Sequence, residues 1–234
     1  ELKMYANLIE QINKEGYAII DNIKKDYLNA YMVKNGYQVF IDKLGRQEVS
    51  LGVSLYENSL AERTLEGFFH TDFSSHPNPP EYVVIECIKQ DPLYPKYGAN
   101  QIVSVDKLIS ELKNYNKNIF NIFKNLTFDF NIRNRIVSHN PLLLDDNGLY
   151  YMKYHAGYIE NYDALDERYF YKGVKIIDVI EELALSICDE IVLATGQTLI
   201  FSNKYSLHRR GRCSVDFKNP NNNRKINTFR YIKS

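Results

Sequence analysis

Residues 67–73 read GFFHTDF, and the tripeptide His70-Thr71-Asp72 at their centre governs how the rest of the chain is read. The stretch alternates and is bounded by turn signals, so it reads as a short strand. In a strand, side chains at i and i+2 leave the same face. One imidazole and one carboxylate would then point at a common centre. Two histidines and one carboxylate on one octahedral face, with the remaining positions open, make a metal centre that can still take up other molecules. H-x-D alone is a short pattern that arises by chance, and a strand end with a polar tip is its plainer reading.

A third ligand has to come from a distant part of the chain, and His208 is the candidate. It closes GQTLIFSNKYSLH (196–208), which reads as a turn, an apolar strand and then the histidine. Arg224 lies 16 residues later (224 − 208) and leads into KINTFRYIK (225–233), an alternating last strand. A guanidinium there is suited to bidentate recognition of a carboxylate. Arg230 has the same parity, so both arginines are expected on one face of that strand.

Working outward, SSHPNPP (74–80) is a proline-rich loop and EYVVIECI (81–88) a β-branched strand. YAIID (17–21) reads as a buried strand after a helix over 3–15 that stops at Gly16. A second helix spans 24–36, with 37–45 read as its extension, while 46–66 shows no strong period. DPLYPKYGAN (91–100) is a loop, and Ser104 is an N-cap candidate for one helix over 104–125. FDFNI (128–132), RIVSH (135–139) and LYYMKYH (149–155) read as strands, the last following the hairpin turn DDNG. A further amphipathic helix covers 174–190. Short strands with inserted helices predict a mainly β protein, a sandwich or jelly roll with helical cover, forming a single domain over 1–234.

Composition narrows the classes. Lys plus Arg and Asp plus Glu both count 29, so the net charge is zero and the basic excess of a nucleic-acid binder is missing. The cluster Arg209, Arg210 and Arg212 reads as a solvated turn. The three cysteines, Cys87, Cys188 and Cys213, include no C-x-x-C pair, which argues against a disulfide scaffold or a thiolate zinc site. No apolar run approaches the roughly 20 residues of a membrane span. The expectation is a soluble cytoplasmic protein; oligomeric state is left open.

Five segments together are specific. EGYAIID (15–21), FFHTDFSSHPNPPEYVVIECIKQDP (68–92), GANQIVSVDKLISEL (98–112), GQTLIFSNKYSLHRRGR (196–212) and the arginine before the last strand resemble the TauD/TfdA (taurine dioxygenase-like) family of Fe(II)/2-oxoglutarate oxygenases, including its clavaminate synthase-like branch. The resemblance covers nearly the whole chain and implies the double-stranded β-helix (jelly roll) of that family. It implies His70, Asp72 and His208 as iron ligands and Arg224 as the partner of the far carboxylate of 2-oxoglutarate. Arg224 stands a residue or two further from the histidine than is usual, and Arg230 is the competing anchor. In the clavaminate synthase-like branch a second arginine on this strand faces substrate, a role open to Arg230. Gln101 occupies the slot where the family has a threonine touching 2-oxoglutarate, and Gln197 replaces the usual aspartate after glycine.

The chemistry implied is decarboxylation of 2-oxoglutarate to succinate and CO2 with O2, coupled to hydroxylation of an unactivated C–H, with ascorbate as reductant. Related halogenases carry a small residue at the Asp72 position, so halogenation is disfavoured; desaturation and ring closure use the same residues. Ser74, Ser75 and His76, in the loop after the motif, and Arg230 are the expected substrate contacts. A cation there points to a small molecule bearing a carboxylate, such as an amino acid or an amino-acid-derived intermediate. His139 and His155 read as structural. A non-catalytic jelly-roll binding module would have lost a ligand or the arginine, and a cupin-type site would show three or four histidines.

Overall fold

The computed structural model describes residues 7–56, 62–132, 135–159 and 167–234. In chain order the elements are α1 (Leu8–Glu15), β1 (Tyr17–Asp21), α2 (Lys25–Lys34), β2 (Tyr37–Val39), β3 (Glu48–Gly52), β4 (Tyr82–Lys89), β5 (Asn100–Ser104), α3 (Val105–Tyr115) and α4 (Lys117–Asn125). There follow β6 (Phe128–Ile132), β7 (Arg135–His139), β8 (Leu142–Leu144), β9 (Tyr150–Met152), β10 (Phe170–Tyr171), β11 (Val174–Lys175), α5 (Ile176–Ile187), β12 (Asp189–Ile191), β13 (Gln197–Ser202), β14 (Ser206–Arg210) and β15 (Lys225–Lys233).

Two antiparallel sheets carry the architecture. The larger runs β1-β13-β4-β15-β2, with β3 also paired to β15; the smaller runs β12-β5-β14. β15 is the long strand of the larger sheet. β4 pairs along it from Lys225 to Tyr231, while β3 and β2 share its other edge. Between the sheets lies an apolar layer that includes Val83, Ile85, Ile102, Leu199, Phe201 and Ile226. The outer face of the larger sheet is covered by α1 and α2 through Ile12, Leu28 and Met32. The outer face of the smaller sheet is covered by α3, α4 and α5, through Leu108, Phe123 and Ile180 against Val103 and Leu207. Each fully buried side chain of this size contributes roughly 1.5–3 kcal/mol, and the alternation of Ile102 inward with Val103 outward is the strand period at work.

Several elements differ from the sequence expectation. Residues 37–45 do not extend α2. Gly36 takes φ +85°, a left-handed conformation that glycine adopts without strain, and turns the chain into β2. The single helix expected over 104–125 is two, α3 and α4, broken at an extended Asn116. The helix expected over 174–190 starts at Ile176 and ends at Ile187, with strand residues on both sides. β3 lies in the stretch without a period, and the loop read to residue 100 ends where β5 begins. Residues 67–73 are not a full strand: His70 makes single bridges to His155 and His208, and the chain then turns. No described helix is long and apolar enough to cross a membrane.

Candidate metal centre

The backbone brings His70 and His208 together. His70 N–H donates to His208 O at 2.9 Å and His208 N–H donates to His70 O at 3.0 Å. Residues opposed in this way carry their side chains on one face, and the two rings stand 4.2 Å apart by centroid. Asp72 follows beyond the bridge. Its N–H donates to Asn203 Oδ1 at 2.7 Å, and Asn203 Nδ2 donates to the carbonyls of Asp72 and Pro80, both at 2.9 Å. This buried asparagine ties the end of β13 to the motif loop and fixes where the Asp72 side chain starts.

The three side chains converge. Asp72 Oδ1 lies 3.5 Å from Nε2 of His70 and 3.5 Å from Nε2 of His208. One donor atom from each of the three lies within 4.8 Å of the others. His70 Nδ1 sits 2.9 Å from the Phe68 carbonyl, which can only accept, so the proton belongs on Nδ1 and Nε2 offers a lone pair to the centre. Burial, with His70 nearby, pushes His208 down to about 4. Burial alone would raise Asp72, but the Arg230 guanidinium beside it holds its carboxyl well below the usual carboxylate range. A neutral imidazole and an ionised carboxylate are the forms that ligate a metal. Two nitrogens and one oxygen anion on one side, with space on the other, fit a first-row divalent ion such as Fe(II).

That space is a cavity of about 410 Å³ between the two sheets. Phe201 and Ile226 of the larger sheet and Asn100 and Ile102 of the smaller line it, together with His70, Asp72 and His208. Arg224, Ile226, Thr228 and Arg230 all face it, as their shared parity requires. Arg224 is 3% exposed, and its Nη2 donates to Asn100 Oδ1 at 3.2 Å. No described carboxylate pairs with it, so a buried cation is left facing the cavity, a costly state without an anion. Gly98, at φ +84°, allows its approach: a Cβ there would lie 3.3 Å from Arg224 Cδ and 2.8 Å from Asp91 Cβ.

Gln101 does not reach this cavity. The register of β5 turns Asn100 and Ile102 inward and Gln101 outward, where it accepts from Arg209 Nε at 2.5 Å and donates to Glu190. Asn100, one residue earlier, takes the inward position. Arg230 faces the cavity, yet its Nε donates to Asp72 Oδ2. A second cavity of about 350 Å³ shares His70 and Asp72 with the first and is lined by Ser74, Ser75 and His76 and by the Asp42–Arg46 turn. His155 and Tyr158 border both cavities. His155, read from sequence as structural, is 7% exposed, stacks on Tyr158 at 3.8 Å and has a buried Nδ1 with no partner among the described residues. Burial, with His70 next, pushes its imidazole down to about 2. Asn203 carries no sequence signal of its role, because its partners lie 123 and 131 residues away. His139 stacks on Phe130 away from the centre, at 4.4 Å.

No protein-family profile matches the sequence. No curated protein matches it either. Solved structures do match in shape. An asparagine oxygenase in complex with Fe(II), 2S,3S-3-hydroxyasparagine and succinate superposes with a TM-score of 0.77 at 12% identity, over 98% of this chain and 79% of that one. The non-haem iron oxygenase OrfP with Fe and alpha-ketoglutaric acid gives 0.70 at 13%, over 100% and 79%. A taurine dioxygenase from Burkholderia xenovorans gives 0.68 at 13%, over 100% and 83%. At these identities the likeness speaks for architecture: the chain has the jelly-roll fold of the taurine dioxygenase-like Fe(II)/2-oxoglutarate oxygenases.

Proposed function

We propose that this chain, as a single domain over 1–234, is an Fe(II)- and 2-oxoglutarate-dependent hydroxylase of a small amino-acid-like molecule. The observation that carries the reading is the pairing of a His70-Asp72-His208 cluster with the buried guanidinium of Arg224 across one cavity. In this reading the three residues hold the iron, and Arg224 receives the far carboxylate of 2-oxoglutarate by a charge-assisted pair. Asn100 orients that guanidinium, and Ile102, Phe201 and Ile226 keep water from the co-substrate chain. Iron with 2-oxoglutarate supplies O2 activation, ending in succinate, CO2 and hydroxylation of a C–H.

The substrate belongs in the second cavity, beside Ser74, Ser75 and His76. Asp42 and Arg46 neutralise each other in an ion pair at 2.8 Å, which leaves Lys43 as the cation of that turn without a described acidic partner. A carboxylate on the substrate suits this lining. The asparagine oxygenase and OrfP structures hold hydroxyasparagine and hydroxyarginine, which supports free amino acids as the first compounds to screen. Neutral His155 offers a hydrogen bond at the junction of the two cavities without adding charge beside the metal.

The test is to add Fe(II) and 2-oxoglutarate without oxygen and record the weak visible charge-transfer band of the chelate. The band is expected in the wild type, absent in Asp72→Ala, and in Arg224→Met present only at much higher 2-oxoglutarate. A band lost in Arg230→Met but unchanged in Arg224→Met would move the anchor to Arg230. No band in the iron-loaded wild type would sink the oxygenase reading.

A further inference from the structure

Building on the iron-site reading, we propose that Arg230 is a positioning residue for the metal: it holds Asp72 so that only Oδ1 faces the ion. The two oxygens of Asp72 are already differentiated. Oδ1 is the atom 3.5 Å from both histidine Nε2 atoms, while Oδ2 accepts the Nε–H of Arg230. A carboxylate with both oxygens free can take a cation through one or through both. With Oδ2 occupied by a guanidinium N–H, Asp72 ligates through Oδ1 alone. Ligation through one oxygen keeps open the coordination positions that a chelating co-substrate and O2 need.

Arg230 is itself fixed on several sides. Its side chain is 17% exposed. Its guanidinium lies over the Phe73 ring, 5.1 Å from the centroid. Phe73 meets Phe40 edge-on at 4.8 Å, and Phe40 N–H donates to the Arg230 carbonyl at 2.8 Å. Phe73 has φ +56°, an unfavourable conformation for a bulky residue, directly after the ligand. Asn203 clamps the Asp72 backbone, and Arg230 clamps its side chain. Arg224 and Arg230 therefore differ: Arg224 has no described carboxylate, whereas Arg230 is committed to one.

Co(II) titration of the purified full chain, followed by visible absorption and calorimetry, tests this without a substrate. Arg230→Met is expected to weaken Co(II) binding about 10- to 100-fold, the usual effect of losing a group that orients a ligand. Arg230→Lys should recover most of it, because its ammonium reaches Oδ2 from a stem of similar length. A cation near a metal ion only repels it, so a purely electrostatic neighbour predicts tighter binding in Arg230→Met. Unchanged or tighter binding in that variant overturns the proposal. Melting curves without metal check folding, and Arg230→Gln, too short to reach Oδ2, carries the same expectation if the Met variant is unstable. A wild type that takes up no Co(II) overturns the iron-site reading; a wild type that binds, with an unaffected Met or Gln variant, overturns the role of Arg230 alone.

Discussion

Glu181 ties helix α5 to the motif. Its Oε2 accepts Phe69 N–H at 3.1 Å, one residue before His70, and its Oε1 accepts the Tyr154 hydroxyl at 3.1 Å, one residue before His155. Burial pushes its carboxyl up to about 7, against these hydrogen bonds and the charges of Arg209 and His70. The unfolded chain would titrate near the ordinary 4.5. A raised folded value means the unfolded state loses its proton first. The stability present below pH 4.5 is therefore lost as pH rises toward about 7 and stays lost above it. Glu181→Gln keeps an oxygen for Phe69 N–H and gains an amide that donates to the Tyr154 hydroxyl. Urea unfolding across this window should give a flatter profile for the variant, with stability above the wild type near pH 8. An unaltered slope would mean that another group sets the pH dependence.

At the scale of elements, Asn116 shows what pattern reading passes over. Residues 104–125 keep helical periodicity throughout, yet Asn116 adopts φ −162° and ψ 108° and serves two helices. Its N–H closes α3 on Leu112 O, and its side chain accepts from Asn118 N and Ile119 N to open α4. Asn116→Ala removes the side-chain cap and should cost about 1 kcal/mol in chemical denaturation; a loss near zero would show that packing of Phe120 and Phe123 alone sets the break. The same element scale explains what was legible. β4, β13 and β15 announced themselves because runs such as YVVIECI pack on both faces or alternate cleanly. β5 and β14 are five residues each, and they divide polar and apolar residues between a cavity and a helical layer. That division hid the strands and, with them, the parity that turns Gln101 outward. In the candidate site, His70, Asp72 and His208 were readable because their residue types are scarce and suited to one chemistry. Asn203 and His155 act through partners far along the chain, which spacing does not encode.

For the whole molecule, the candidate site spans the two sheets. His208 comes from the smaller sheet, Arg230 belongs to the long strand of the larger and Arg224 immediately precedes it, and His70 and Asp72 lie in the segment that bridges onto β14. A metal held by His208 and Asp72, with a dicarboxylate running from it to Arg224, would add to the apolar layer and the Arg224–Asn100 hydrogen bond that already join the two sheets. A ligand that binds only the folded state stabilises it by about 2.7 kcal/mol at 100-fold excess over its Kd. For a chain of this size each kcal/mol shifts Tm by roughly 2–4 °C, so each saturating ligand is expected to add about 5–10 °C. The order of addition is informative. Co(II) should raise Tm alone, whereas 2-oxoglutarate should raise it further only once the metal is present, because its chelating end has no other partner. In Arg224→Met the metal increment should persist and most of the 2-oxoglutarate increment should vanish. A co-substrate increment that appears without metal, or survives in Arg224→Met, would place the dicarboxylate outside the cavity between the sheets and leave the buried charge of Arg224 without its proposed partner.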